Sequence, residues 1–229
     1  VHSLKDMPTD IPAGLKLAAV TRRLDPCDVL VSTKGVVLSK LASGSRIGTG
    51  SQRRTVQLMN CRRDIVVTDM RGNIDTRLRK CFGGEVDGML MAAAALIRMK
   101  LEDKIAECLP IDKFIPAVGQ GALGIEVCDG DTLIQEVVSS LNHKQSWREV
   151  SAERAFLKEL GGGCREPVAA LGVVKGASLH IRGMVANSAT FEVMTEEMEG
   201  KSSEAEQLGI CLAQKMMKMG AGRLIGRSI

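Results

Sequence analysis

Hydrophobic positions fall along the chain in two textures. In the first, short runs of aliphatic residues alternate with amphipathic stretches. Leu15 to Thr21, Asp28 to Ser32, Asp64 to Asp69, Gly88 to Met91 and Leu123 to Val127 read as strands. Arg46-Ile47-Gly48-Thr49-Gly50-Ser51 leads from a short strand into a helix reaching about Cys61, with Ser51 as its N-cap. Asp75 to Cys81, closed by Gly83-Gly84, and Ala92 to Met99 read as further helices. Strands alternating with short helices predict parallel pairing, right-handed crossovers, and a ligand site beyond the carboxyl ends of the strands.

After helices over about Thr132 to Leu141 and Ser146 to Leu160 the second texture begins. Strands are expected near Val168 to Val174, Ser178 to Val185 and Phe191 to Glu199, then a helix from about Ser203 to Met219. Consecutive strands followed by one helix predict a small α+β domain with an antiparallel sheet.

Composition adds a compartment and a ligand charge. With 229 residues, 45% hydrophobic and 25% charged, the chain can bury two or three cores. Its seven cysteines, at 27, 61, 81, 108, 128, 164 and 211, never form C-x-x-C, which argues against a disulfide framework or a zinc site. No metal is expected, and a reducing, cytoplasmic setting is. The longest apolar run, Met89 to Ile97, is too short to span a bilayer, and no signal peptide is visible, so no membrane partner is expected. The chain opens at Val1-His2-Ser3 without methionine, and the expectation is that the natural protein is longer at this end.

The net charge of +4 matters less than its distribution. Arginines crowd into Arg22-Arg23, Arg53-Arg54, Arg62-Arg63, Arg71, Arg77, Arg79 and Arg98, which predicts a polyanionic ligand. Nucleic acid fits poorly, since one tryptophan, four phenylalanines and no tyrosine leave little for base stacking.

Four constellations carry candidate chemistry. His2-Ser3-Leu4-Lys5-Asp6-Met7-Pro8 reads either as a polar turn or as a site in which Asp6 faces a cationic intermediate while Ser3 and Lys5 bind anions. Gly48-Thr49-Gly50-Ser51-Gln52-Arg53-Arg54 exposes backbone N–H groups at a helix N-terminus and adds two arginines where they oppose the dipole, a combination expected to meet an anion. Met70-Arg71-Gly72-Asn73-Ile74-Asp75-Thr76-Arg77 puts Arg71 in a loop and Arg77 in the next helix, suited to bidentate pairing with carboxylates. Arg98 is either a third such residue or a cation compensating a helix C-terminus. Finally Cys164, in Gly161-Gly162-Gly163-Cys164-Arg165-Glu166-Pro167, is either a small core residue or a thiol presented by a glycine loop beside an arginine.

With HSLKDMP, GTGSQRR, RGNIDTR, PAVGQGALGIE at 116 to 126, SAERAFL at 151 to 157 and GGGC at 161 to 164, in that order and over essentially the whole length, the chain resembles the hydroxymethylbilane synthase (porphobilinogen deaminase) family. The resemblance implies a transferase of tetrapyrrole biosynthesis that joins four porphobilinogen molecules head to tail with loss of ammonia. It implies a dipyrromethane cofactor held by a thioether to Cys164 and a catalytic Asp6 beside Lys5. Ser3, Lys5, Asp6, Thr49, Ser51, Arg53, Arg54, Arg71 and Gly72 would bind the cofactor, and Arg71, Arg77 and Arg98 the substrate. The implied fold is α/β: two doubly wound, periplasmic-binding-protein-like domains, the first truncated, plus a small C-terminal α+β domain with an antiparallel sheet. Residues 1–21 with 122–140 would be the remainder of domain 1, residues 27–116 domain 2, and residues 144–229 domain 3. A monomer is expected, since one chain supplies the cleft.

The chain departs from the family pattern at Gly50 and Gln52, where Ser and Leu are common, and in the Ala93-Ala94-Ala95-Leu96-Ile97-Arg98 stretch. The family's first domain begins upstream of HSLKD, so one wall of the cleft is expected to be missing and the fragment to have little activity. Two other classes compete: a non-catalytic two-lobed polycarboxylate-binding protein, and a transferase that uses Cys164 as a transient nucleophile.

Overall fold

The structure, a computed structural model, describes residues 1–161 and 166–226. Three sheets organise it. The first is small and antiparallel, in the order β1 (His2–Ser3), β8 (Leu123–Cys128), β2 (Leu15–Val20). The strand that arrives last in sequence lies in the middle, so two segments more than a hundred residues apart close this sheet together. Leu4, Met7, Val20, Ala122 and Val150 form its core.

The second sheet has five strands in the order β5 (Val66–Thr68), β4 (Arg46–Gly48), β6 (Gly88–Ala92), β3 (Asp28–Ser32), β7 (Glu107–Cys108). Every residue of β3 and β6 is buried, because both faces are covered. Val29, Val31, Met89 and Met91 pack on one side with Cys81 of α2 (Ile74–Phe82) and Leu96 of α3 (Ala93–Arg98). Leu30, Ile47 and Leu90 pack on the other with Leu58 of α1 (Gln52–Cys61) and Phe114. The expected parallel pairing holds for β4 with β5 and with β6. It fails for β3, which runs antiparallel to both β6 and β7. The reason is topological: β3 is joined to β4 by residues 33–45, which hold only the 3-10 turn Leu38–Lys40 and not the helical crossover that parallel strands need.

The third sheet, β9 (Val168–Lys175), β10 (Ser178–Ala186) and β11 (Val193–Lys201), is antiparallel as expected, with β10 central. Two helices cover it, α5 (Lys144–Glu159) and α6 (Ala205–Lys218), and Phe156, Ile181, Val185 and Leu212 are fully buried between the layers. The helices approach so closely that a methyl group at Gly209 would collide with the Ala152 carbonyl oxygen. A short α4 (Thr132–Ser139) precedes α5 and has no buried residue, and α7 (Ala221–Leu224) follows α6.

Among the described residues no helix is long and apolar enough to cross a membrane, and no three His, Cys, Asp or Glu side chains cluster as metal ligands would. Cys27 and Cys81 are buried, Cys61, Cys108 and Cys128 exposed, and Cys211 partly covered. Cys164 lies outside the described residues.

Candidate active site

A cleft of about 790 Å³ opens where the three sheets converge, a volume suited to a small organic ligand. Three strand-to-helix passages and one edge of the C-terminal layers build it.

The first passage follows β1, whose Ser3 leads into a single 3-10 turn, Leu4–Asp6. Leu4 is buried beneath the turn and its N–H donates to the Ala122 carbonyl at 3.1 Å, which anchors Lys5 and Asp6 at the cleft wall. Burial pulls the Lys5 ammonium down to about 8, assisted by the nearby Arg54 charge and opposed by Asp6. Lys5 therefore changes charge close to neutral pH.

The second passage joins β4 to α1. Ser51 caps the helix as predicted, its Oγ accepting from the Arg54 N–H at 3.4 Å, while Thr49 Oγ1 accepts from the Ser51 N–H at 3.2 Å. Gly50, Ser51, Gln52, Arg53 and Arg54 all line the cleft; Thr49 is buried behind them.

The anion expected to meet Arg53 and Arg54 exists within the chain itself. Asp28, wholly buried at the start of β3, accepts from Arg53 Nη1 at 2.6 Å and Nη2 at 3.2 Å, and from Arg54 Nε at 3.0 Å and Nη2 at 2.8 Å. Burial alone would raise the Asp28 carboxyl, but the two guanidinium charges and their hydrogen bonds hold it well below the usual carboxylate range. Gln120 completes the group, donating to Asp28 at 2.9 Å and accepting from Arg54 at 3.4 Å. Neither Asp28 nor the pairing role of Gln120 is legible in the local sequence, although Gln120 sits inside the PAVGQGALGIE stretch.

The third passage joins β5 to α2. Asn73 caps that helix by accepting from the Thr76 N–H at 2.9 Å. Gly72 has a φ of +117°, and a side chain there would crowd Thr76, so glycine is required for the chain to enter α2 at this angle. Its carbonyl accepts from Arg77 Nε at 2.8 Å, and Arg71 pairs with Asp69 at 3.0 Å while remaining exposed. Both arginines line the cleft. Burial and the proximity of Arg54 lower Arg77 from its ordinary value.

Five cationic side chains, Lys5, Arg53, Arg54, Arg71 and Arg77, thus face two carboxylates, Asp6 and Glu166, around one cavity. Val118, Leu157 and Val168 supply an apolar floor. Three expected site residues lie beside the cleft rather than on its lining: Ser3, Thr49 and Gly72. Arg98 is also set back; its Nη2 donates to the Gly121 carbonyl at 2.8 Å, and burial lowers it from its ordinary value. Cys164 belongs to the segment outside the description, but Glu166 and Val168, which follow it, are part of the cleft wall.

Helix α5 holds these passages together. Its Glu153 carboxylate accepts from Arg23, from the Gly119 N–H at 2.7 Å and from the Gly172 N–H at 2.9 Å. Its Arg154 donates to the carbonyls of Met7 at 3.2 Å, Pro8 at 2.7 Å and Thr9 at 3.4 Å, directly after Asp6. Both residues occur in SAERAFL, but nothing local in that stretch reveals partners so distant in sequence.

Comparison with known proteins gives this geometry a context. The family profile described as porphobilinogen deaminase, dipyromethane cofactor binding domain, matches residues 1–136, and that of the porphobilinogen deaminase C-terminal domain matches residues 147–218. A porphobilinogen deaminase of Pelotomaculum thermopropionicum is 42% identical over 228 residues, covering 100% of this chain and 73% of its own length. That of Thermus thermophilus is 44% identical over 228 residues, covering 99% of this chain and 76% of its own. Among solved structures, an ABC transporter periplasmic binding protein from Brucella ovis with glutathione bound aligns with 65% of this chain and 45% of its own, at 16% identity and a TM-score of 0.36, a similarity too slight to bear on function.

Proposed function

The chain belongs to the porphobilinogen deaminase family, and from that premise we propose how its side chains carry the family's reaction. The activity is that of a transferase in tetrapyrrole biosynthesis, hydroxymethylbilane synthase, which condenses four porphobilinogen molecules head to tail with release of ammonia. Its cofactor is dipyrromethane.

The residues present fit such a group. A dipyrrole with acetate and propionate arms needs many carboxylate partners and an apolar bed for its rings. Lys5, Arg53, Arg54, Arg71 and Arg77 around Val118, Leu157 and Val168 supply both. When bound, the cofactor supplies the pyrrole terminus from which the product is extended. We assign Cys164 as its thioether anchor, with Ser3, Lys5, Thr49, Ser51, Arg53, Arg54, Arg71 and Gly72 holding it.

At each addition the bond between the substrate's aminomethyl carbon and its nitrogen breaks, and the nitrogen leaves as ammonia. The methylene carbon left behind is electron-poor and conjugated with the pyrrole nitrogen. Asp6, exposed in the cleft, offsets that positive charge where it develops and accepts from the pyrrole N–H. A new carbon–carbon bond then forms, and the displaced ring proton goes to the nearest base. Lys5, with its pKa near 8, assists by exchanging a proton beside Asp6. Arg71 and Arg77 take the incoming substrate's carboxylates, and Arg98 joins them when its bond to Gly121 is exchanged for one of these groups.

The observation that carries this reading is the convergence of five cations and Asp6 on one cavity whose wall includes Glu166 and Val168, the neighbours of Cys164. The cleft is built from one chain, which supports a monomer, and the scarcity of aromatic side chains disfavours a nucleic-acid partner. We assign the protein to the cytoplasm on its unpaired cysteines. We divide it into residues 1–21 with 122–140, 27–116 and 144–229, since each span supplies one of the three sheets.

Intact-mass measurement on protein purified from cells tests the anchor. A mass gain equal to a dipyrromethane, absent from Cys164→Ser, is expected; an unmodified parent sinks the assignment. Asp6→Ala is expected to keep the circular dichroism spectrum and lose at least about a hundredfold in turnover, and near-parental turnover removes Asp6 from its role.

A further inference from the structure

Asp28 is a buried carboxylate to which the family reading assigns no role, yet it accepts from two of the cleft's arginines at once. It takes two N–H groups from Arg53 and two from Arg54, and one from Gln120. Arg53 Nη1 also donates to the Ile115 carbonyl at 2.7 Å, and Arg54 Nη1 to the Leu90 carbonyl at 3.2 Å. A guanidinium has five N–H donors. With these bonds and Gln120, the two arginines have most of their donors engaged inside the protein, and their remaining few are all that a ligand can use.

Gln120 extends the group. Its Nε2 also donates to the Pro26 carbonyl at 2.6 Å, and its backbone carbonyl accepts from Arg23 Nε at 2.8 Å. Pro26 lies in residues 21–27, through which the chain leaves the first sheet, and Gln120 in the return segment. Both connections therefore meet at the carboxylate that orients the arginines.

We propose that Asp28 is a positioning residue for the family reaction: it fixes the planes of Arg53 and Arg54 toward the cleft and, through Gln120, ties them to the two segments that connect the first and second sheets. The proposal rests on the reading that Arg53 and Arg54 bind the ligand's carboxylates. It opposes the simplest electrostatic view, in which a buried acid behind two arginines only dilutes their charge. The two views predict opposite signs. Removing the Asp28 charge makes the cleft more positive, so dilution predicts tighter anion binding, whereas positioning predicts weaker binding because the guanidiniums lose their fixed orientation.

The test is the dissociation constant of porphobilinogen measured by calorimetry on Asp28→Asn, on Arg54→Gln and on the parent, with folding checked by circular dichroism. Positioning predicts at least a tenfold weaker constant for Asp28→Asn, together with a lower kcat. A constant equal to or tighter than the parent's overturns the proposal. Should Asp28→Asn not fold, Gln120→Leu decides, because it removes a link to Asp28 without changing charge. Binding about threefold or more weaker supports the proposal, and an unchanged constant overturns it. Arg54→Gln separates the two levels: if it leaves binding unchanged the ligand reading itself fails, whereas loss in Arg54→Gln with none in Asp28→Asn defeats only the role of Asp28.

Discussion

The Glu153 carboxylate receives both terminal nitrogens of Arg23, with Nη2 at 3.2 Å, although 130 residues separate them. Glu153 is fully buried and Arg23 nearly so, and the same carboxylate takes the Gly119 and Gly172 N–H groups. One side chain of α5 thereby fastens both connections between the first two sheets to the C-terminal layers.

Breaking this pair leaves a buried, uncompensated guanidinium. Glu153→Ala is expected to lose about 3 to 5 kcal/mol of stability. Denaturant unfolding of parent and variant provides the check, and a loss under 1 kcal/mol would mean that Arg23 finds water or another partner.

Lys5 predicts a pH dependence whose sign is fixed by its shift. The folded pKa of about 8 lies below the ordinary 10.5, so between these values the unfolded chain holds a proton that the fold releases. Stability from this group therefore rises with pH from about 8 to 10.5, and the penalty stands in full below 8. Lys5→Met should be more stable than the parent at pH 7 by about 2 kcal/mol, with the gap closing by pH 10.5. Carboxylate binding should weaken in the parent as pH rises through 8. A pH-independent gap in urea midpoints would contradict the assignment.

Arg154 secures the loop after Asp6 through three backbone carbonyls. Arg154→Met is expected to speed hydrogen exchange at the amides of Met7, Thr9 and Asp10. It should also lower kcat by about tenfold or more, because the role proposed for Asp6 makes small misplacements of it costly. Unchanged exchange in that loop would remove the positioning role.

The contact of α5 with α6 depends on the missing side chain at Gly209. Gly209→Ala puts a methyl group against the Ala152 carbonyl and should cost about 3 kcal/mol through forced separation of the helices. A shift of the urea midpoint with unchanged slope is the expected result.

Most elements were legible in the sequence because their signals are local. Branched runs bounded by Asp or Gly gave Asp28–Ser32 to the residue, and Ser51 caps α1 because a hydroxyl just before a helix has an N–H to accept from. The cleft's cations were legible for a similar reason, since arginines clustered at strand-to-helix passages meet at one end of a sheet. What escaped was long-range. Asp28 looks like any strand-opening aspartate, and its partners lie 25, 26 and 92 positions away. The antiparallel direction of β3 escaped too, because the stretch between β3 and β4 holds only a 3-10 turn and so breaks the strand–helix alternation from which parallel pairing was expected. Glu153 and Arg154 were visible as parts of a motif, but Glu153 gathers Arg23, Gly119 and Gly172 and Arg154 the carbonyls of residues 7–9, partners that nothing in the motif itself points to.

The central position of β8 in the first sheet has a consequence for synthesis. His2–Ser3 and Leu15–Val20 flank β8, and β1 and β2 each take their strand pairing from it. At roughly 5–20 residues per second, a ribosome needs several seconds to deliver Leu123–Cys128 after Val20 has emerged. Through that interval the five-stranded sheet can assemble in full, while β1 and β2 still await the pairing that β8 gives them. The cleft wall that carries Lys5 and Asp6 is therefore completed only once β8 has joined β1 and β2, and a chaperone that shields His2–Val20 in the meantime would favour that pairing.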